Sequence, residues 1–304
     1  MISRKPLSSP RLQTGSVPPS PRQPQPAPPL PDAPTGDKLL RVAGFPAVAA
    51  LFQTAPERVV RFFYEERMIP RIGTFCASMA GQRRPYRMVD TAELSRIAGT
   101  VRHGGIVAVA EPRLLQELSP ERIHTWATTS QPVFVLDGVG NTHNVGAIAR
   151  TLAFFGYDRL ILSDHPAQAG LSDSAYRVAE GGLEHLQLFR ASRLPALLHR
   201  LQPGYRIIGT ALDKGIPLEK LADDPRPSLV ILGNEEQGLS PATLKCCEQV
   251  VRIRGRGAVQ SLNVSATVAI LAYVLGTRGA AQTRPAAPAV AKTGPHHPRK
   301  RQPR

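Results

Sequence analysis

Residues 253–270 read IRGRGAVQSLNVSATVAI, and three polar side chains, Ser261, Asn263 and Ser265, stand where an apolar helix begins. Beyond them small and apolar residues dominate, the composition of a helix that enters a core. By itself, Ser261 or Asn263 reads as the cap of that helix, because a short side-chain oxygen satisfies amides left without partners at a helix start. The strand-like VVRI before Gly255 makes the segment a loop joining a strand to a helix.

Two other stretches repeat this form. LDGVGNTHNVGAIAR (136–150) and LGNEEQGLS (232–240) each follow an apolar run, set glycines beside small polar or charged residues, and lead into a helix. Around them VFVLD, RLILS, YRIIGTA, SLVILG and VVRI read as strands, with helices beginning near Asn144, Ala191, Pro241 and Ser261. Apolar strands separated by helices predict an α/β domain whose mainly parallel sheet is covered on both faces. Ligands of such sheets collect in loops beyond the strand carboxyl ends. Neither GxGxxG nor GxxxxGK[ST] occurs, which weighs against a nicotinamide dehydrogenase and a P-loop enzyme. From spacing alone Asn144 is a helix N-cap, Arg150 a solvated helix residue, and Glu235 and Glu236 either exposed turn carboxylates or partners of the dipole of the following helix.

Residues 37–117 predict a smaller α/β unit, with helices over FPAVAALFQ, PRIGTFCASMA and TAELSRIAG and strands over VVRFFYEE, YRMVD and GIVAVAE. Residues 118–131 show no clear period and read as a linker to the larger domain at 132–278. Residues 1–36, with PPSPRQPQPAPPLP, and residues 279–304 read as disordered tails, since proline removes amide donors and a basic, aromatic-poor run cannot build a core.

The net charge of +15 is uneven: the tails hold +3 and +6. Cationic tails bind polyanions by counterion release, and nucleic acid is favoured over membrane phospholipid as the partner. The apolar run Ala266–Leu275 is far short of the roughly 20 residues that span a bilayer. Cys76, Cys246 and Cys247 form no CxxC pair and read as reduced thiols of a cytoplasmic protein. No metal site is expected, and His296 and His297 belong to the basic tail.

Taken together, the three loops resemble the three motifs of the SpoU, or TrmH, family of RNA 2′-O-ribose methyltransferases in the SPOUT class, in order and in spacing. NTHNVGAIARTLAFFGY is similar to the first motif, LGNEEQGL to the second and IRGRGAVQSLNVSATVAI to the third. RVAGFPAVAALF and GTVRHGGIVAVAE resemble the L30-like RNA-binding domain that precedes it, notably in the YfiF-like subgroup. The resemblance implies a trefoil-knotted C-terminal domain, a homodimer with shared active sites, and 2′-O-methylation of rRNA or tRNA from S-adenosylmethionine. It assigns Gly233, Ile253 and Leu262 to the cofactor, and Asn144, Arg150, Glu235, Ser261 and Asn263 to the catalytic centre. Arg41, Arg102 and His103 are the expected RNA contacts, with Arg83, Arg84 and Arg87 as a second basic cluster.

Two departures stand out: Asn141-Thr142 replaces the family's frequent Asp-Pro, and Arg252 and Arg254 flank Ile253 where proline and methionine are common. Those arginines read equally as phosphate contacts or solvated charges. A guanidinium stays protonated, so Arg150 is better read as a phosphate clamp and stabiliser of developing negative charge than as a general base. The competing function is an RNA-binding or ribosome-assembly factor that keeps the fold with little catalysis.

Overall fold

VFVLD, at the centre of the larger sheet, is buried at every position, and its alternate residues enter two different cores. Phe134 and Leu136 pack with one apolar cluster, Val133 and Val135 with another on the opposite face. Period-two alternation with both sets buried marks a strand covered on both sides. The computed structural model describes residues 39–128, 131–212 and 214–283; most of both expected tails lies outside the described residues.

The first unit runs β1 (Leu40–Ala43), α1 (Phe45–Thr54), β2 (Val59–Tyr64), α2 (Gly73–Gly81), β3 (Tyr86–Met88), α3 (Thr91–Ala98) and β4 (Ile106–Ala110). Its sheet has the order β1-β4-β2-β3, antiparallel except for β2 with β3. β1 was absent from the sequence expectation, being only four residues long.

The second unit comprises β5 (Gln116–Glu117), α4 (Pro120–His124), β6 (Val133–Asp137), α5 (Thr142–Phe154), β7 (Arg159–Ser163), α6 (Asp173–Ala179) and α7 (Gly182–His185). It continues with β8 (Gln187–Ala191), α8 (Leu194–Leu201), β9 (Arg206–Thr210), β10 (Ile216–Pro217), β11 (Ser228–Gly233), α9 (Pro241–Cys246), β12 (Gln249–Arg252) and α10 (Val264–Thr283). The sheet order is β10-β12-β9-β11-β6-β7-β8-β5, and every pairing is parallel. α5, α6 and α10 supply side chains to one face, α8 to the other.

Two expectations are corrected. The stretch expected as a linker is packed, with Leu118, Ile123 and Trp126 buried with Phe189, and the two residues before it, expected in the smaller unit, form β5, which pairs with β8 of the larger sheet. A two-residue strand and a five-residue helix are too short to show a period. The last helix continues past 278 to Thr283.

Candidate functional site

The carboxyl ends of β9, β11 and β12 open onto a cavity of about 280 Å³. Its apolar wall includes Leu232, Val251, Ile253, Leu262 and Leu271, and its polar wall Thr210, Asn234, Glu235, Ser261 and Asn263. All three nominated cofactor residues, Gly233, Ile253 and Leu262, therefore share one cavity with Glu235, Ser261 and Asn263.

Gly233 is required by close approach. A Cβ there would lie 2.4 Å from the backbone carbon of Gly238, because the chain turns straight back on itself. Asn234 and Gly238 exchange backbone hydrogen bonds of 3.0 and 2.9 Å, and the Asn234 side-chain oxygen accepts from the amides of Glu236 and Gln237. The Asn234 amide nitrogen donates to the Gly138 carbonyl at 2.8 Å, tying this turn to the loop after β6.

Glu235 joins the three motif loops. Its Oε2 accepts from the Gly140 amide at 3.0 Å, and its Oε1 from the Asn144 Nδ2 at 2.8 Å and the Asn141 amide at 3.4 Å. The Asn144 Oδ1 in turn accepts from the Asn263 Nδ2 at 3.0 Å. Burial pushes the Glu235 carboxyl upward, but the donors from Asn144, Gly140 and Asn141 outweigh it and hold the group below the usual carboxylate range.

Asn144 is not the cap of α5. That place belongs to Asn141, whose Oδ1 accepts from the His143 amide at 2.8 Å. Asn144 lies one turn further in, buried, where its side chain faces the other two motif loops. Asn263 does act as a cap as well, since its Oδ1 accepts from the Ser265 amide at 2.8 Å. Gln168, which sequence reasoning missed, accepts from the amides of Gly138 and Val139 and donates to the Val139 carbonyl. Nothing in a lone glutamine between predicted elements signals this.

Arg150 stands apart. It is not among the cavity-lining residues; its Nη2 lies 3.0 Å from the Glu180 carboxylate, and both side chains are about half exposed.

Of the three expected RNA contacts, Arg41 and Arg102 are exposed, but His103 is only 2 % exposed and is corrected. Its Nε2 meets the Ser95 Oγ at 3.1 Å and its Nδ1 accepts from the Gly105 amide at 3.1 Å. The imidazole thus shapes the turn at Gly104 and Gly105 instead of reaching a ligand. In the second basic cluster, Arg84 donates to the carbonyls of Glu57 and Val59 and Arg87 pairs with Glu93, which leaves Arg83 exposed. Arg252 is half-buried, while Arg254 and Arg256 are exposed.

Among the described residues there is no cluster of three or more metal-ligating side chains, and no helix long and apolar enough to cross a membrane.

The fold is shared with solved methyltransferases. An rRNA methyltransferase from Sinorhizobium meliloti superposes with a TM-score of 0.65 at 18 % identity, over 81 % of this chain and 88 % of that one. Residues 131–273 match the SpoU rRNA methylase family, and residues 41–116 match the model described as RNA 2′-O ribose methyltransferase substrate binding. The 23S rRNA (guanosine-2′-O-)-methyltransferase RlmB of Bordetella pertussis is 30 % identical over 76 % of this chain and 94 % of its own length. The uncharacterized tRNA/rRNA methyltransferase YfiF of Escherichia coli O157:H7 is 33 % identical over 76 % of this chain. The chain spans 66 % of YfiF and about half of two further relatives. It belongs to the SpoU rRNA methylase family.

Proposed function

We propose that this chain is an S-adenosylmethionine-dependent RNA methyltransferase acting on a ribose 2′-hydroxyl of rRNA or tRNA, as a cytoplasmic homodimer. The observation that carries this reading is the hydrogen-bonded Glu235–Asn144–Asn263 chain beside the cavity, which joins residues from three separate loops at one point.

The cavity's residues fit the cofactor. Leu232, Val251, Ile253 and Leu262 offer an apolar slot for a purine, while the backbone around Gly233 and the polar wall suit a ribose and an amino acid. When bound, S-adenosylmethionine supplies an electrophilic methyl carried by a sulfonium.

Glu235 is a poor base, because its carboxylate is stabilised in the ionised form by three donors. Its task is to fix Asn144, and through Asn144 the amide of Asn263, at the cavity edge. Ser261 and Asn263 then present polar groups to the ribose, and Leu262 holds the cofactor side. Positioning of this kind supplies much of the rate enhancement of a two-reactant step. The hydroxyl proton leaves to an RNA phosphate or to water.

Arg150 clamps phosphate and stabilises negative charge on the ribose oxygen, in the site of the partner subunit. Its absence from the cavity lining of its own chain supports this division, as does an exposed aromatic group on α5 and α10. Phe154 and Tyr273 are 82 % and 61 % exposed, and Phe155 meets Phe154 edge-on at 5.2 Å and Tyr273 at a tilt at 6.3 Å between ring centres. Large apolar side chains grouped on a surface mark an interaction site, here the homodimer interface. The return of the chain from β11 to β12, on the far side of β9, supports a trefoil knot around the cavity. Residues 37–117 serve as the RNA-binding domain, with Arg41 and Arg102 as contacts.

The test maps ribose 2′-O-methylation across total RNA with and without the gene; loss of one methyl is the expected result. Absence of S-adenosylmethionine binding at high micromolar concentration in calorimetry would instead favour the assembly-factor reading.

A further inference from the structure

We propose that the corner between α6 and α7, residues 180–184, is a joint through which docking of the N-terminal unit sets the position of Arg150, with the Arg58–Glu184 ion pair as its latch. The proposal rests on the functional reading above, in which Arg150 acts on RNA.

Each residue of the corner touches one side of the joint. Glu180 closes α6 in the left-handed region, φ 46°, and its carboxylate holds Arg150 at 3.0 Å. At Gly181, φ 94°, a Cβ would lie 2.9 Å from the Ala50 Cβ and 3.0 Å from the Pro46 carbonyl oxygen, so α1 of the N-terminal unit rests directly on the backbone. At Gly182 a Cβ would lie 2.8 Å from both the Ala149 carbonyl oxygen and the Arg150 Cα. Two successive glycines are thus pressed between α1 and the turn of α5 that carries Arg150.

Glu184 anchors the corner. Its side chain is 2 % exposed, and its two oxygens lie 2.9 and 3.0 Å from the Nη1 of Arg58, which is 13 % exposed. The other nitrogens of Arg58 donate to the Glu111 carbonyl at 3.2 and 3.1 Å, and Nη2 also reaches the Tyr176 hydroxyl at 3.4 Å. Arg113 donates to the Leu183 carbonyl at 2.7 Å. The Arg41 amide adds a bond to Asp173 at 2.9 Å, at the start of α6.

Backbone contacts without an intervening Cβ transmit displacement, because no side chain can change rotamer to absorb it. A shift of the N-terminal unit therefore moves Gly181 and Gly182, and with them Glu180 and the Arg150 it holds. The four residues Arg58, Glu184, Gly181 and Gly182 are positioning residues; none lines the cavity.

The test uses the full chain with Arg58→Lys, which keeps the charge but loses the planar fork, and Glu184→Gln. Both should lower kcat about tenfold or more, with KM for RNA and cofactor affinity changed less than about twofold. A rise in KM at unchanged kcat would show that the N-terminal unit is only a tether, and overturns the joint. Tyr205→Phe removes a buried hydrogen bond to the Ile123 carbonyl, 2.8 Å long, on the other face of the sheet and serves as the stability control. An equal fall in kcat there also overturns the proposal.

Hydrogen exchange reads the joint without activity. In Glu184→Gln, exchange should rise together in residues 173–185 and in the turn of α5 around Arg150; a rise confined to the N-terminal unit refutes the coupling. A wild-type chain that binds cofactor and RNA but methylates nothing rejects the functional reading and leaves the exchange result to judge the joint.

Discussion

Asn144 donates to Glu235 at 2.8 Å and accepts from Asn263 at 3.0 Å, so one buried amide uses both ends to join loops that are far apart in sequence. Replacing it by alanine leaves the Glu235 Oε1 and the Asn263 amide short of partners, at a cost of about 1–3 kcal/mol. Thermal melting should show Asn144→Ala destabilised by that amount. Asn144→Asp, which sets carboxylate against carboxylate, should melt lower still.

Acid should act on the same network. The Glu235 carboxyl is held below its unfolded value, near pH ~4.3, so its contribution to stability is complete above that pH and is lost as the pH falls through the lower, folded value. Urea unfolding between pH 7 and pH 3 should show a steeper acid limb in the native chain than in Glu235→Gln. Identical limbs would remove Glu235 from the account.

Gly233→Ala tests the close approach that shapes the cavity. The added methyl meets backbone at 2.4 Å, which no rotamer relieves. Overpacking of this kind typically costs about 1–3 kcal/mol, and S-adenosylmethionine affinity measured by calorimetry should fall with it. Retained affinity would separate the Gly233 turn from cofactor binding.

Arg150→Lys should retain RNA binding and lose most turnover, since an ammonium keeps the charge but not the planar fork. Filter binding and methyl transfer measured on the same preparation decide it. Unchanged turnover excludes the role.

The exposed rings on α5 and α10 give an assembly prediction. Phe154→Asp with Tyr273→Asp should convert the proposed dimer to a monomer in analytical ultracentrifugation, while the melting temperature changes little because both side chains are exposed. A chain that is monomeric before substitution refutes the interface.

Most strands of the larger sheet were legible in the sequence because they are apolar runs bounded by turn residues, as in VFVLD and SLVILG, but β8, QLFRA, was not read, since Gln187 and Arg190 leave it only a short apolar stretch. The helices of the first unit were legible from their spacing. β5, α4 and β10 were not: elements of two to five residues carry no period, and the burial of Ile123 in α4 follows only from its packing with Phe189 of β8. His103 misled for a related reason. A histidine among arginines and glycines looks available, and only the packing of Ser95 and Gly105 around it shows that both ring nitrogens are already engaged.

Composition and local pattern by themselves determined an α/β chain with three polar loops at strand ends, since side-chain periodicity and turn chemistry act over a few residues. They also placed Gly233, Glu235, Ile253, Ser261, Leu262 and Asn263 in those loops. Tertiary structure alone decided that Asn144 joins Glu235 and Asn263, that Arg150 stays out of the cavity beside Glu180, and that Arg58 is locked to Glu184. Those are contacts between residues distant along the chain, and their geometry exists only after the sheet has set the order of its strands.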